Sequence, residues 1–337
     1  MKTLLVPIDF SDVTEDVIQN VIKSAILVDG RVILLHVMQY PPVVEQGCIS
    51  REISKERELQ KLEVLRERLE ANSIPAKALI VDAESPAKAI LAQAEVQRAN
   101  ALIIGSRGHA NIYNLLIGSV TEKILRFATS PVLVVPRRAQ DGMRATMSSG
   151  LKGKAVEGEV DSADATYRLR QEDRTPYKRI LIPLDFSDAT DVVVAVAATL
   201  VRQPESRIFL MHVKKFNALF QGATTMCGLP MVADSAESER ECREILQKAR
   251  ARLRDDTDGA MMVLCEGPNV TQEILDHSEL IGPDLMIIGS HGHGTVYNVV
   301  VGSVTGAILS STRCPVLVVP ALYKPIDYPV ENLNAFR

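Results

Sequence analysis

Gly105-Ser106-Arg107-Gly108-His109-Ala110-Asn111-Ile112-Tyr113-Asn114-Leu115-Leu116-Ile117-Gly118-Ser119 decides how this chain folds. Upstream lies Ala101-Leu102-Ile103-Ile104, a short apolar run that reads as a buried strand, and downstream Val120 to Leu125 reads as a helix with Ser119 at its start. Strand, glycine-rich loop and helix N-terminus form an arrangement that collects phosphate. Glycine lets the backbone approach an anion, and the unpaired N–H groups and dipole of the helix attract it. The spacing is G-x2-G-x9-G-Ser: Gly105, Gly108, Gly118, Ser119. It recurs as Gly289, Gly292, Gly302 and Ser303, after Leu285-Met286-Ile287-Ile288 and before Val304-Thr305. A tight turn with close helix–strand packing would explain one copy. Two copies, each between a strand and a helix, favour ligand binding.

The repeat extends well beyond the loop. Asp9 and Asp185 are 176 residues apart, as are His36 and His212. Gly105 and Gly289 are 184 apart, as are Pro131 and Pro315, so the second copy gains eight residues between its second and fourth strands. A constant offset on either side of one net insertion marks a duplicated domain. We divide the chain into 1–136, a polar linker 137–176, 177–320 and a tail 321–337. The insertion falls partly in the loop Asn217 to Pro230.

Within the first copy, strands alternate with helices. Thr3 to Ile8 is a strand, and Ser11 or Asp12 caps a helix whose Val17, Val21, Ile22, Ala25 and Ile26 share a face; Gly30 ends it. Val32 to Val37 is a strand apolar enough to be covered on both faces. A helix from about Arg51 to Ala71 follows, with Leu59, Leu62, Leu65 and Leu69 as its core stripe. Ala76 to Val81 is the third strand, Ser85-Pro86 opens a third helix, and Pro131 to Val135 is the fifth strand. This alternation specifies an α/β fold: two doubly wound domains, each a parallel sheet with helices on both faces.

Composition limits the function classes. The chain has 337 residues, 46% hydrophobic and 24% charged, with net charge −4, which argues against a nucleic-acid surface. The five cysteines form no C-x-x-C pair, consistent with a reducing compartment. Pro7 and Asp9 cut the N-terminal apolar run too early for a signal-peptide core, and Val192 to Val201 is about half a membrane span. We expect a cytoplasmic protein with no membrane partner. Neither copy holds the Lys of a P-loop, nor G-x-G-x-x-G after its first strand. His291 and His293 lack the further ligands that zinc needs, so no metal site is assigned. His36 and His212, in apolar strands, read as satisfied core residues. No nucleophile–base pair or carboxylate pair is readable, so no catalytic residue is assigned.

Pro-x-Asp-Phe-Ser after the first strand, Leu-Leu-His-Val or Leu-Met-His-Val in the second, and G-x2-G-x9-G-Ser ahead of Pro-Val-Leu-Val-Val resemble universal stress protein domains. The resemblance covers 1–136 and 177–320 and suggests the ATP-binding branch. It implies a five-stranded parallel sheet in the order 3-2-1-4-5, with ligand at the carboxyl ends of strands one and four. It places Pro7, Ile8, Asp9 and Val37 at the nucleoside, Ile104 and Gly105 at the ribose, and Gly108, Gly118, Ser119 and Val120 at the phosphates. The equivalent places in the second copy are Pro183, Leu184, Asp185, Val213, Ile288, Gly289, Gly292, Gly302, Ser303 and Val304. Arg107 and His291 add positive charge near phosphate. Asp9 and Asp185 can instead cap the following helices, and Ser119 and Ser303 can be plain N-caps.

The implied ligand is ATP, AMP or ADP, with Mg²⁺ held through the phosphates. The implied function is that of a stress-response sensor or regulator with two sites per chain. A slow ATPase and a nucleotide-free scaffold are the alternatives. The apolar fifth strands, Val132 to Val135 and Val316 to Val319, need covering at the sheet edge. A forty-residue linker reaches roughly 35 Å, enough for them to pair within one chain, with a homodimer as a further possibility.

Overall fold

The computed structural model describes residues 2–39, 48–107, 117–137, 177–200, 206–215, 233–253, 260–291 and 301–324. The first copy runs β1 (Lys2–Pro7), α1 (Thr14–Val28), β2 (Gly30–Gln39), α2 (Cys48–Ala71), β3 (Ala76–Ala83), α3 (Pro86–Val96), β4 (Ala101–Gly105), α4 (Ser119–Phe127) and β5 (Val132–Val135). The second runs β6 (Arg179–Pro183), α5 (Ala189–Leu200), β7 (Arg207–Lys215), α6 (Ala233–Leu253), β8 (Ala260–Gly267), α7 (Val270–Ile281), β9 (Leu285–Gly289), α8 (Ser303–Ser311) and β10 (Val316–Val319). Most of the linker, the loop 217–230 and the tail beyond 324 lie outside the described residues, as do Gly108, Gly292 and His293.

Each copy forms a parallel sheet in the order 3-2-1-4-5, and the two sheets join into one of ten strands, β3-β2-β1-β4-β5-β10-β9-β6-β7-β8. The seam is antiparallel. Leu133 faces Leu317, flanked by Val132–Val318 and Val134–Val316. All six side chains are buried. Pairing two apolar edges removes both open templates at once.

Alternation along the strands sends successive side chains to opposite faces. Leu4, Val6 and Ile103 join the core beneath α1, α2, α5 and α6. Leu5, Leu102 and Ile104 join the core beneath α3, α4, α7 and α8. Both cores take residues from both copies, so the apolar layers run through the seam.

Several local expectations need correcting. Neither Ser11 nor Asp12 caps α1: Val13 holds that position without a side-chain bond. Asp29, in the left-handed region at φ 48°, terminates the helix, and Gly30 instead begins β2 opposite Lys2. The second helix starts at Cys48, and its core stripe is Leu62, Leu65 and Leu69; Leu59 is exposed. Leu246, Ala249 and Leu253 occupy the same buried places in α6 at the larger offset. The eight extra residues therefore fall between Lys215 and Leu246.

Tyr177 locks the copies together. It precedes β6, yet its hydroxyl donates to Asn20 Oδ1 at 3.1 Å and lies 3.2 Å from Ser24 Oγ, both on α1 of the other copy. Burial pushes its ionisation far above the ordinary phenol value, opposed by the Ser24 bond. The unfolded chain loses this proton near pH ~10 while the native state keeps it, so this group's contribution to stability is complete below pH ~10 and is lost above it by about 1.4 kcal/mol per pH unit. Tyr177→Phe should cost about 1 kcal/mol at neutral pH and flatten this alkaline loss in denaturant titrations. An unchanged alkaline slope would mean that the hydroxyl ionises as easily in the native state.

Candidate functional site

β1 lies between β2 and β4, so the chain leaves the sheet in opposite directions where β1 and β4 end. A crevice opens there, as it does where β6 and β9 end. The first cleft is about 770 Å³ and the second about 840 Å³, within the 300–1,000 Å³ span of small-molecule sites. Pro7, Ile8, Asp9, Val37, Ile104, Gly105, Arg107, Gly118, Ser119 and Val120 all line the first. Pro183, Leu184, Asp185, Val213, Ile288, Gly289, His291, Gly302, Ser303 and Val304 all line the second.

The loop between β4 and α4 is anchored at both feet. Ser106 N–H donates to Val135 O, Gly118 N–H to Ser106 O at 2.8 Å, and Thr121 Oγ1 to Gly105 O at 2.9 Å. Ser290, Gly302 and Thr305 repeat all three bonds with Val319, Ser290 and Gly289. Gly118 and Gly302, not the serines, are the N-caps; Ser119 and Ser303 are the first helical residues and are exposed. A glycine cap carries no side chain, and neither helix start has a side-chain cap bond. The N-termini of both helices thus face the clefts uncapped by side chains. Gly118 has φ −65° and Gly302 φ −52°, so neither needs glycine's left-handed freedom. At Gly302 the constraint is space: an added Cβ would sit 3.2 Å from the Ser290 carbonyl oxygen.

Across each cleft the chain turns sharply after β1 and β6. Phe10 and Phe186 both adopt left-handed backbone, φ 57° and 60°. That costs roughly 1–2 kcal/mol for an aromatic residue. Its recurrence in both copies beside a cleft marks strain held at a site. The turn lets Asp9 Oδ1 accept from Ser11 N–H at 3.0 Å, and Asp185 Oδ1 from Ser187 N–H at 3.0 Å and Ser187 Oγ at 2.7 Å. The two carboxylates are exposed and bind within their own turns, and Asp9 is not the cap of α1, a place that Val13 holds.

His36 and His212 are not core residues; they line the clefts, half-buried. Each Nδ1 donates to the carbonyl of the residue just after β1 or β6, Ile8 O at 2.7 Å and Leu184 O at 2.8 Å. Phe186 stacks on His212 with ring centroids 3.8 Å apart, while Phe10 meets His36 at a tilt, 5.0 Å away.

Other contributions were not legible in the sequence. Thr14 and Thr190, equivalent by the 176-residue offset, line the two clefts. Their Oγ1 atoms are buried without a partner among the described residues. His291 Nε2 shares this state, with Nδ1 lying 2.8 Å from Ser290 Oγ. Cations enter the clefts from different elements: Lys61 of α2 lies 5.1 Å from the Phe10 ring centroid in the first, whereas Lys214 and Lys215 of β7 line the second. Among the described residues, no helix is long and apolar enough to cross a membrane.

Residues 1–136 and 176–320 both match the universal stress protein family, and the chain belongs to that family of stress-response proteins. Among relatives, the universal stress protein MJ0577 of Methanocaldococcus jannaschii is 30% identical over 156 residues, covering 41% of this chain and 96% of its own. Universal stress protein Rv2005c of Mycobacterium tuberculosis is 24% identical over 220 residues, covering 65% of this chain and 61% of its own. A universal stress protein structure from Archaeoglobus fulgidus aligns over 97% of both chains with a TM-score of 0.61 at 20% identity, a likeness of fold.

Proposed function

We propose that each cleft binds one adenine nucleotide and that the chain is a nucleotide-responsive stress regulator with little or no turnover. One observation carries this reading. In both copies a glycine-capped helix N-terminus, a glycine loop anchored at both feet and an aspartate-bearing strained turn converge on one cleft of nucleotide size. Uncapped N–H groups suit phosphate, and the Asp9 and Asp185 carboxylates suit hydroxyl or amine donors of a nucleoside. The Thr14 and Thr190 hydroxyls, buried in the cleft walls without a partner among the described residues, are the candidates for a further hydrogen bond to ligand. Mg²⁺ would be held by the phosphates with few protein groups.

The direct test is to denature freshly purified chain and identify released nucleotide by chromatography. Adenine nucleotide approaching two equivalents per chain is expected; a sample free of nucleotide that also takes none up favours a scaffold. A multiple-turnover assay separates the slow ATPase. Hydrolysis well above background, lost on changing Ser119 and Ser303, would support the enzyme.

Thr14 and Thr190 sharpen the reading. Burying an unpartnered hydroxyl costs about 1–3 kcal/mol, so near-isosteric Thr14→Val should leave the nucleotide-free chain equally or more stable. If the hydroxyl meets ligand, the same change weakens binding in the first cleft about tenfold. Unchanged affinity in both single variants would remove these hydroxyls from the site.

A further inference from the structure

We propose that Cys265, Glu273 and His277 form a binding site for a divalent transition metal of the Zn²⁺ type, outside the two clefts. Cys265 is on β8, at the outer edge of the ten-stranded sheet; Glu273 and His277 are one turn apart on α7, which packs on β7 and β8. One ligand atom from each lies within 4.8 Å of the other two, and all three residues are half-buried. Small side-chain movements would bring a thiolate, a carboxylate and an imidazole to one ion at the 2.0–2.3 Å typical of zinc. Sulfur with nitrogen and one carboxylate oxygen is a borderline-soft set, suited to Zn²⁺ or Co²⁺ over Mg²⁺ or Ca²⁺. Three protein ligands leave a fourth position for water.

The surroundings are arranged for it. His277 Nδ1 donates to the Glu273 carbonyl at 2.8 Å, so Nε2 is the nitrogen left with a lone pair. An outer-shell bond of this kind sets the tautomer of metal-ligating histidines. Gly267 leaves room for the Glu273 side chain: a Cβ there would lie 2.3 Å from Glu273 Oε1. The Cys265 thiol lies 3.7 Å from the His212 carbonyl oxygen. On binding, the metal takes the thiolate and the thiol proton goes to solvent.

The duplicated domain supplies an internal control. By the 184-residue offset, Cys265, Glu273 and His277 correspond to Val81, Ala89 and Gln93, and Gly267 to Ala83. The first copy builds the same strand–helix corner with no ligand at any of these places. The three ligands and the space for the carboxylate therefore occur together in the second copy alone.

The test uses the full chain stripped of nucleotide and metal, titrated with Co²⁺ and then Zn²⁺. We expect one Co²⁺ per chain with thiolate-to-cobalt charge-transfer absorption, displaced by Zn²⁺. Cys265→Val should abolish that absorption and weaken binding by at least ~100-fold, the upper end of what outer-shell changes produce. The combination Cys265→Val, Glu273→Ala and His277→Gln copies the first domain and should keep the metal-free melting temperature. If it fails to fold, His277→Gln alone, at a half-buried helix position, carries the test by the same loss of affinity. The absorption persisting in Cys265→Val, unchanged affinity in His277→Gln, or no stoichiometric uptake by the parent chain would overturn the site.

Discussion

Arg252→Ala and Arg68→Ala should each lower stability by about 3–5 kcal/mol. Arg252 Nη1 lies 2.6 Å from Asp191 Oδ1, and the side chains are only 15% and 7% exposed. In the first copy Arg68 grips Glu15 with two bonds of 2.7 Å, at 12% and 18% exposure. Both pairs tie the second helix of a domain to its first, Arg68 matching Arg252 and Glu15 matching Asp191 at the two repeat offsets. A surface pair would be worth under about 1 kcal/mol, but removing a guanidinium from a largely buried carboxylate leaves charge in a poorly solvated place. At Arg68 the planar fork meets both Glu15 carboxylate oxygens, so Lys there should recover only part of the loss. Replacing both partners by apolar residues, Asp191→Leu with Arg252→Met, should return most of the stability. Denaturant unfolding checks each arm. A cost below about 1 kcal/mol for either arginine would show that the pair is effectively solvated.

Gly302→Val should abolish nucleotide binding in the second cleft, a loss of at least ~100-fold, while the domain stays folded. The backbone at Gly302, φ −52° and ψ 145°, is not in the left-handed region, so valine meets no strain of that kind there. The added Cβ would press on the Ser290 carbonyl at 3.2 Å, and its methyls would occupy the space between loop and helix N-terminus. Phosphate must approach those N–H groups closely, which a branched side chain prevents. Gly118→Val should act alike in the first cleft. Normal affinity with a lowered melting temperature would instead mean that these glycines serve helix–loop packing.

What could be read from the sequence depended on the range of the signal. Continuous apolar runs such as Val32 to Val37 and Leu285 to Ile288 announced buried parallel strands, and the double glycine spacing located both clefts. The apolar fifth strands pointed to the seam at Leu133 and Leu317. Caps were harder, because several side chains could compete for one position. Val13 and Asp29 took the ends of α1 through backbone geometry that composition does not encode. His36 and His212 looked like core residues within apolar strands, but they lie where β2 and β7 run past the ends of β1 and β6 and line the clefts. Thr14 with Thr190, Glu15 with Asp191, and the Cys265, Glu273 and His277 cluster needed the third dimension. Each depends on separate elements meeting, although repeat equivalence makes the first two pairs conspicuous once the offsets are known.

Calorimetric titration of the nucleotide-free chain with Mg-ATP tests most directly whether both clefts are nucleotide sites. The expected stoichiometry is near two per chain, falling to one in Gly118→Val and in Gly302→Val, and to none when both are combined. A parent chain that binds one equivalent, or none, while remaining folded would contradict the account.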